Sequence, residues 1–188
     1  DDRRQRQMCI RDRVGATTRL GNISTPMRDR FGAIFRLDFY QKDEIFKILK
    51  RTASILEMNV QDDALTEIAG RSRGTPRIAN RVLKRVRDFA QVKNVKEISL
   101  EDARSSLDSI GIDENGLENM DRKILKNLIV NYNGGPTGGK SLAISINEDI
   151  QTIEDVYEPY LIKEGFIERT SRGRIATDKA YALFDLKK

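Results

Sequence analysis

The sequence predicts a mainly α fold with a small β component, and three observations support this prediction. Apolar residues recur at helical spacing through most of the segment from residue 43 to residue 165. Clusters of Gly, Asn and Pro divide that segment into short pieces. Apolar residues flank the turn Ser171-Arg172-Gly173, which is a pattern typical of a β-hairpin.

Composition bounds the class of protein. The 188 residues are 38% apolar and 34% charged, which predicts a soluble globular protein with one large or two small domains. A net charge of +5 favours a polyanionic partner. No apolar run approaches the roughly 18 residues of a membrane span, and we expect a cytoplasmic protein. A single Cys9 and the lack of His exclude an internal disulfide and argue against a zinc site.

The first forty residues change character once. Residues 1–13 are almost uniformly charged without periodicity, and we expect them to be non-native or disordered. From Val14 onward, apolar residues bracket turn residues. This pattern predicts a short helix around 26–31 and a strand at 33–39.

Residues 41–111 are predicted to form a bundle of four short helices. Asp62, Thr75 and Ser99 are expected to cap the second, third and fourth helices, with Asp102 completing a capping box at Ser99. The predicted inward faces are Ile45, Ile48, Leu49, Thr52 and Leu56; Leu65, Ile68 and Ala69; Ile78, Val82, Leu83, Val86 and Ala90; and Ala103, Leu107 and Ile110.

The rest of the chain predicts a winged helix. After a linker at 111–116, helices are expected at 120–132 and 140–146, and a third begins after Asn147 or Asp149 and runs to Gly165. Pro159 should bend or loosen that third helix, because it lacks an amide donor. Three helices followed by a hairpin are the arrangement of a winged helix.

Arg77 is an unusual residue for the start of a helix. Thr75 and Pro76 suit the helix start, but a helix N-terminus already carries partial positive charge. A cation placed there suits an anion in front of it. From the residues alone, that anion is DNA, a nucleotide phosphate, or absent.

The predicted hairpin concentrates positive charge. Arg169, Arg172 and Arg174 lie on its arms and tip, and alternate residues of a strand share a face, so Arg172 and Arg174 are expected to point the same way. The alternatives are contact with DNA phosphates and a solvated charged hairpin. The third helix carries acids that are expected to be exposed and to repel DNA phosphates: Glu148, Asp149, Glu154, Asp155 and Glu158. We therefore expect the hairpin, rather than this helix, to contact DNA.

Two weaker patterns precede the bundle. The first, Arg28-Asp29-Arg30-Phe31-Gly32, taken alone reads as a surface cluster of ion pairs. The second, Gly15-Ala16-Thr17-Thr18-Arg19, taken alone reads as a strand-to-turn junction.

Eight motifs taken in order carry a much more specific signal. They are "GATTR", "TPMRDRFG", "LDFY", "RSRGTPRIANRVLKRVRDFA", "IGIDENGLENMDRKIL", "GGPTG", "TIEDVYEPYLIKEGFIERTSRGRIAT" and "KAY". Together they resemble the RuvB family of AAA+ ATPases, the bacterial motors that migrate Holliday junctions. The resemblance covers about residues 14–184. It implies that residues 14–40 end a large AAA+ ATPase domain, 41–111 form its helical lid, and 114–188 form a winged-helix head.

The resemblance also implies residue roles. Thr17 and Thr18 fall in the segment resembling sensor 1, and Arg30 matches the arginine finger that reaches a neighbouring subunit's nucleotide. Tyr40 lies at the hinge that contacts nucleotide, and Arg77 matches sensor 2. In the head, Arg169 and Arg174 match DNA-contacting positions, with Arg172 between them.

The same resemblance implies cofactors and partners. These are ATP and Mg²⁺, duplex DNA and the Holliday junction, RuvA, RuvC, and five further copies in a homohexamer. The pattern Gly-x-x-x-x-Gly-Lys-Ser/Thr occurs at residues 134–141, but this stretch lies between two predicted helices of the head and does not follow a strand, so we interpret it as a connecting loop. We therefore expect the chain to be a C-terminal portion that neither hydrolyses ATP alone nor holds the metal ligands. The alternative is a non-enzymatic winged-helix regulator with a helical dimerisation domain.

Overall fold

The computed structural model describes residues 14–17 and 20–186. The expectation for residues 1–13 lies outside the described residues. The chain divides into two compact units, Asp1–Asp38 and Phe39–Lys188.

The first unit contains little regular structure. A 3₁₀ turn spans Leu20–Asn22, and the short helix α1 spans Thr25–Arg28 with Pro26 in its first turn. The strand predicted at 33–39 is wrong, because this stretch has irregular backbone. A strand needs a neighbour for its N–H and C=O groups, and none pairs with it in the described part of the chain.

The second unit begins with the four predicted helices. They are α2 Lys42–Ile55, α3 Asp62–Gly70, α4 Pro76–Val92 and α5 Leu100–Ser109. Their inward faces form one apolar core, which includes Ile45, Leu49, Ile68, Leu83 and Leu107. Ile48, Ile78 and Ile110 are only partly buried against this core. The helical-period pattern therefore identified the bundle correctly.

The helix starts agree with expectation at one position and differ at two. Ser99 and Asp102 form the predicted capping box at α5. Thr75 precedes α4 as predicted, but its hydroxyl makes no capping hydrogen bond and points to the Arg73 carbonyl. Asp62 is the first residue of α3 rather than its cap, and its carboxylate accepts a hydrogen bond from Lys50 at 2.7 Å.

The last third of the chain has the winged-helix order. Helices α6 Asn119–Tyr132 and α7 Gly139–Ile146 are followed by a continuous helical segment made of α8 Ile150–Thr152, a π-helical turn Ile153–Tyr157 and α9 Glu158–Lys163. Asp149 caps α8 through the amides of Gln151 and Thr152. The π turn ends at Tyr157, two residues before Pro159, which confirms the predicted local loosening.

The predicted hairpin is present. Strands β1 Ile167–Thr170 and β2 Gly173–Ala176 pair antiparallel, with Arg169 opposite Arg174, and α10 Asp178–Ala182 follows. Thr137 adds a bridge to Arg174 on the other edge of β2. A second core lies beneath, built around Leu125, Leu142 and Phe166. The fold is mainly α with a small sheet, as predicted. No helix within residues 14–17 and 20–186 combines the length and apolar character needed to cross a membrane.

Candidate nucleotide-contact and DNA-contact sites

Arg77 stands exposed in the first turn of α4. It is the second residue of this helix, directly after Pro76. Its guanidinium makes no hydrogen bond or ion pair within the described residues, whereas the nearby Arg81 pairs with Glu118 at 3.5 Å. An arginine in this position adds its charge to the partial charge of the helix N-terminus, and together they attract an anion.

Tyr40 lies beside the same helix start. Its amide donates to the carbonyl of Gly74 at 2.9 Å, three residues before Arg77. Gly74 has a φ of +64°, and a Cβ there would lie 2.6 Å from the Tyr40 carbonyl, so only glycine fits this approach. The structure thus places the backbone of Tyr40 against the turn that leads into the helix carrying Arg77.

Those predicted site residues of the first unit that the structure describes lie in irregular backbone or in a turn. Thr17 is exposed in irregular backbone, and Thr18 lies outside the described residues. Arg30 is exposed in the turn after α1, where its amide donates to the Met27 carbonyl. Arg28 is half-buried and donates to Thr25 at 3.2 Å, so it is Arg30 whose guanidinium faces solvent.

The hairpin arginines differ from one another in exposure. Arg172 is exposed in the turn between β1 and β2, and the side chain of Arg169 is 55% exposed. Arg174 is only 7% exposed. The expectation that Arg172 and Arg174 share one exposed face is therefore wrong.

Two carboxylates of the preceding helical segment hold Arg174. Its Nε donates to Glu158 and its Nη2 donates to Glu154, both at 2.6 Å. Glu158 was expected to be exposed but is only 1% exposed, because it faces the hairpin rather than solvent. Burial by itself lowers the pKa of Arg174, but the hydrogen bonds to Glu158 and Glu154 outweigh this effect. The pKa therefore lies above its ordinary value, and the group stays charged.

Arg169 shares these acids from the opposite strand. Its guanidinium lies 3.5 Å from Glu154 and 3.8 Å from Glu158. Directly opposed residues of an antiparallel pair place their side chains on the same face, which explains why both arginines meet one pair of acids. Glu154 and Glu158 are four residues apart, a spacing that could have indicated a shared helix face turned toward the hairpin.

Sequence reasoning also missed a pair of arginines in the turn between α3 and α4. Arg71 and Arg73 are 6% and 7% exposed. Arg71 donates to Glu67, Asp108 and the Ile112 carbonyl, and Arg73 donates to the Gly116 carbonyl and Asp121. Glu67 is four residues from Arg71, but such a spacing is as typical of an exposed ion pair. The other partners of the two arginines lie 37 to 48 residues away, where no local pattern reports them.

The architecture defines the class of protein: a bundle of four short helices joined to a winged-helix domain. Two family models match consecutive segments, the "RuvB AAA lid domain" at residues 40–113 and the "RuvB C-terminal winged helix domain" at residues 114–185. The chain belongs to the RuvB family.

Similar proteins agree with this assignment. The Holliday junction branch migration complex subunit RuvB of Oleidesulfovibrio alaskensis is 54% identical over 92% of this chain and 54% of its own length. The same subunit of Fusobacterium nucleatum is 50% identical over 91% of this chain and 52% of its own length. This chain therefore spans about half the length of the curated relatives it matches.

Solved structures extend the likeness to three dimensions. The Thermotoga maritima RuvB Holliday junction branch migration motor is 47% identical, with a TM-score of 0.89 over 93% of this chain and 59% of that chain. A lysine-to-arginine variant of the same protein matches with a TM-score of 0.88, covering 93% of this chain and 58% of that chain.

Proposed function

We propose that this chain works as the lid and DNA-binding head of an ATP-driven motor subunit that migrates Holliday junctions in DNA. The observation that carries the proposal is the exposed, unpaired Arg77 beside Tyr40, in the same unit as a hairpin that presents Arg169 and Arg172. A winged-helix regulator would leave the cation at the start of α4 without a role. The curated relatives, which are named as subunits of a branch migration complex, favour the motor.

The nucleotide side of the proposal rests on three groups. Arg77 and Tyr40 would hold ATP bound to the same subunit, and Arg30 would reach the ATP of a neighbouring subunit as an arginine finger. A guanidinium suits this task, because it stays charged and can bind phosphate oxygens through two donors. Thr17 and Thr18 would position the attacking water. Bound ATP supplies the free energy of phosphoryl transfer.

The Mg²⁺ that accompanies ATP in this proposal would be held by the part of the motor subunit that this chain does not match. In the described part of the chain, the side chains of His, Cys, Asp and Glu form no group of three or more that could hold a metal ion.

The DNA side of the proposal rests on the hairpin. Arg169 and Arg172 would contact backbone phosphates directly, because their side chains reach solvent. Arg174 would join them only where a phosphate competes with Glu154 for its guanidinium. Such contacts carry no sequence information, which suits a motor that moves along any DNA. A homohexamer around duplex DNA, with RuvA at the junction and RuvC as the resolvase, completes the proposal.

An exchange experiment tests this function. Residues 14–186 would replace the matching segment of the Oleidesulfovibrio alaskensis relative, which supplies the part that this chain does not match. The chimera should hydrolyse ATP and migrate a synthetic four-way junction in the presence of RuvA. A folded chimera that binds DNA but never moves the junction would contradict the motor and favour a binding protein.

A further inference from the structure

One arginine of the lid enters the winged-helix domain. Arg73 lies in the turn between α3 and α4, yet its Nε donates to the Gly116 carbonyl at 3.0 Å and its Nη2 donates to Asp121 at 2.5 Å. Its guanidinium also lies 4.8 Å from the centre of the Tyr160 ring. These three partners belong to the start of the winged-helix domain, to α6 and to α9. Arg73 thus joins the lid to three elements of the next domain.

The contact is buried, which makes it costly to break. Arg73 is 7% exposed and Asp121 is 0% exposed. Removing one partner of a buried ion pair leaves an uncompensated charge, so such pairs are strongly coupled. Tyr160 is held in place in turn, since its hydroxyl donates to the Asn115 carbonyl at 2.7 Å. The head therefore cannot rotate on the lid without separating these groups.

The backbone at Arg73 is also constrained. Arg73 has a φ of +56°, in the left-handed region that residues with a side chain rarely adopt. Its neighbour Ser72 is fully buried and donates to the Ile68 carbonyl, which anchors the turn to the end of α3. Such a conformation persists only where the surroundings hold it.

The same turn leads directly into the candidate nucleotide contacts. Gly74 follows Arg73, and its carbonyl accepts a hydrogen bond from the Tyr40 amide. The helix that carries Arg77 begins two residues later, at Pro76. Phe39, the residue before Tyr40, also contacts the head, because the Lys163 ammonium lies 4.7 Å from the centre of its ring. A displacement at Gly74 or Arg77 therefore has a short covalent path to Arg73, and through it to the head.

We propose that Arg73 is a positioning residue that fixes the orientation of the winged-helix domain on the lid and links that orientation to the segment from Tyr40 to Arg77. The linkage rests on the proposed function, whereas the fixed orientation does not. Because coupling between two sites is reciprocal, nucleotide at Arg77 would alter DNA binding by the head, and DNA would alter nucleotide binding.

Distances measured in this chain test the fixed orientation. Spin labels would be attached at Lys84→Cys in the lid and Lys126→Cys in the head, both exposed, in a Cys9→Ser background. A single narrow distance distribution is expected. Arg73→Ala should broaden it, and so should Asp121→Asn, which alters the same pair from the head side and still allows α6 to be capped.

Arg81→Ala is the matched control. It removes the exposed ion pair between Arg81 and Glu118, which crosses the same boundary, and exposed pairs contribute little. The distribution should stay narrow. If Arg73→Ala and Asp121→Asn also left it narrow, in chains whose helical content is unchanged, the positioning role would be overturned.

Binding measurements in the exchange chimera test the linkage. The affinity of the chimera for duplex DNA would be measured twice, once in the presence of ADP and once in the presence of a non-hydrolysable ATP analogue. The two DNA affinities are expected to differ by a factor of about five or more. Arg73→Ala should move this ratio toward one while the affinity for nucleotide is retained. An unchanged ratio in that variant, or a ratio of one in the unsubstituted chimera, overturns the linkage. A chimera that binds neither ligand contradicts the proposed function instead, and the label distances still decide the positioning role.

Discussion

Arg174 and Glu158 form a buried ion pair between the second strand of the hairpin and the helical segment before it. The Nε of Arg174 lies 2.6 Å from the Oε1 of Glu158, and the two side chains are 8% and 2% exposed. The second carboxylate oxygen of Glu158, Oε2, has no hydrogen-bond partner among the described residues. The hairpin is therefore attached to the helix by charge as well as by apolar packing.

The first prediction concerns the stability that this pair confers. Arg174→Met should lower the free energy of unfolding by about 3–5 kcal/mol, because it leaves the buried Glu158 carboxylate without its hydrogen-bonded partner and with only Arg169, at 3.8 Å, as a nearby cation. The double variant Arg174→Met/Glu158→Leu should recover much of the loss. Chemical denaturation of the three proteins measures both effects, and equal losses in the single and double variants would contradict the buried pairing.

The second prediction concerns the acid that competes for the hairpin arginines. Glu154 accepts from Arg174 at 2.6 Å and from Arg169 at 3.5 Å. Glu154→Gln should strengthen binding of duplex DNA by about two- to fivefold, because both guanidinium groups lose a competing carboxylate. Fluorescence anisotropy measures the change. The control Glu114→Gln makes the same change of charge in the exposed linker and should have little effect; an equal gain there would show that only net charge matters.

The third prediction concerns Arg172 at the hairpin tip. Arg172→Ala should weaken DNA binding at every sequence and reduce the slope of log affinity against log salt by about 0.9, the value for one phosphate contact on duplex DNA. Arg51→Ala removes an equal charge from an exposed lid position and should leave the slope unchanged. A slope unaffected by Arg172→Ala would remove this residue from the interface.

The fourth prediction separates fold from function at Arg77. A cation in the first turn of a helix is unfavourable, so Arg77→Glu should raise the free energy of unfolding by roughly 0.3–1 kcal/mol. The same substitution should abolish ATP-driven branch migration by the exchange chimera. Arg85→Glu, in the middle of α4 and also exposed, tests whether any charge reversal has these effects. A variant at Arg77 that is less stable, or fully active, would contradict the assignment.

The fifth prediction concerns pH. The side-chain hydrogen bond from Ser99, and then the backbone one, hold the pKa of Asp102 below its ordinary value of 3.8. A carboxyl whose pKa is lower in the folded state stabilises the fold above the unfolded pKa and loses that effect as pH falls through the folded pKa. The stability difference between the unsubstituted chain and Asp102→Asn should therefore be full at pH 7 and shrink below about pH 4. A difference that stays constant to pH 3 would contradict the capping box.

Local patterns predicted the helices and the hairpin well, because their signals lie within a few residues of one another. The apolar spacing of α4, the Ser99–Asp102 box and the turn at Arg172 are examples. The strand predicted at 33–39 failed, since alternation identifies a strand only where a partner exists. The burial of Arg174 and the reach of Arg73 into the head depend on residues 16 to 48 positions away, which no local pattern reports.

The candidate site residues also divide into those that a local pattern identified and those that it did not. Arg77 was identified by a charge that conflicts with the helix dipole, and such local conflicts are typical of functional residues. The roles of Thr17, Thr18, Arg30 and Tyr40 came from the family resemblance and stay predictions. The lid and head limits at 41–111 and 114–188 are predictions of the same kind.

Mixed assemblies of the exchange chimera test most directly the claim that this chain completes the ATP site of a motor. One subunit type would carry Arg30→Ala, and the other would keep Arg30 but have its phosphate-binding loop inactivated in the part supplied by the relative. Each alone should hydrolyse no ATP. The account predicts that mixing them restores hydrolysis, because Arg30 of one subunit reaches ATP on the next. Mixtures that form assemblies of normal size yet stay inactive at every ratio would contradict it.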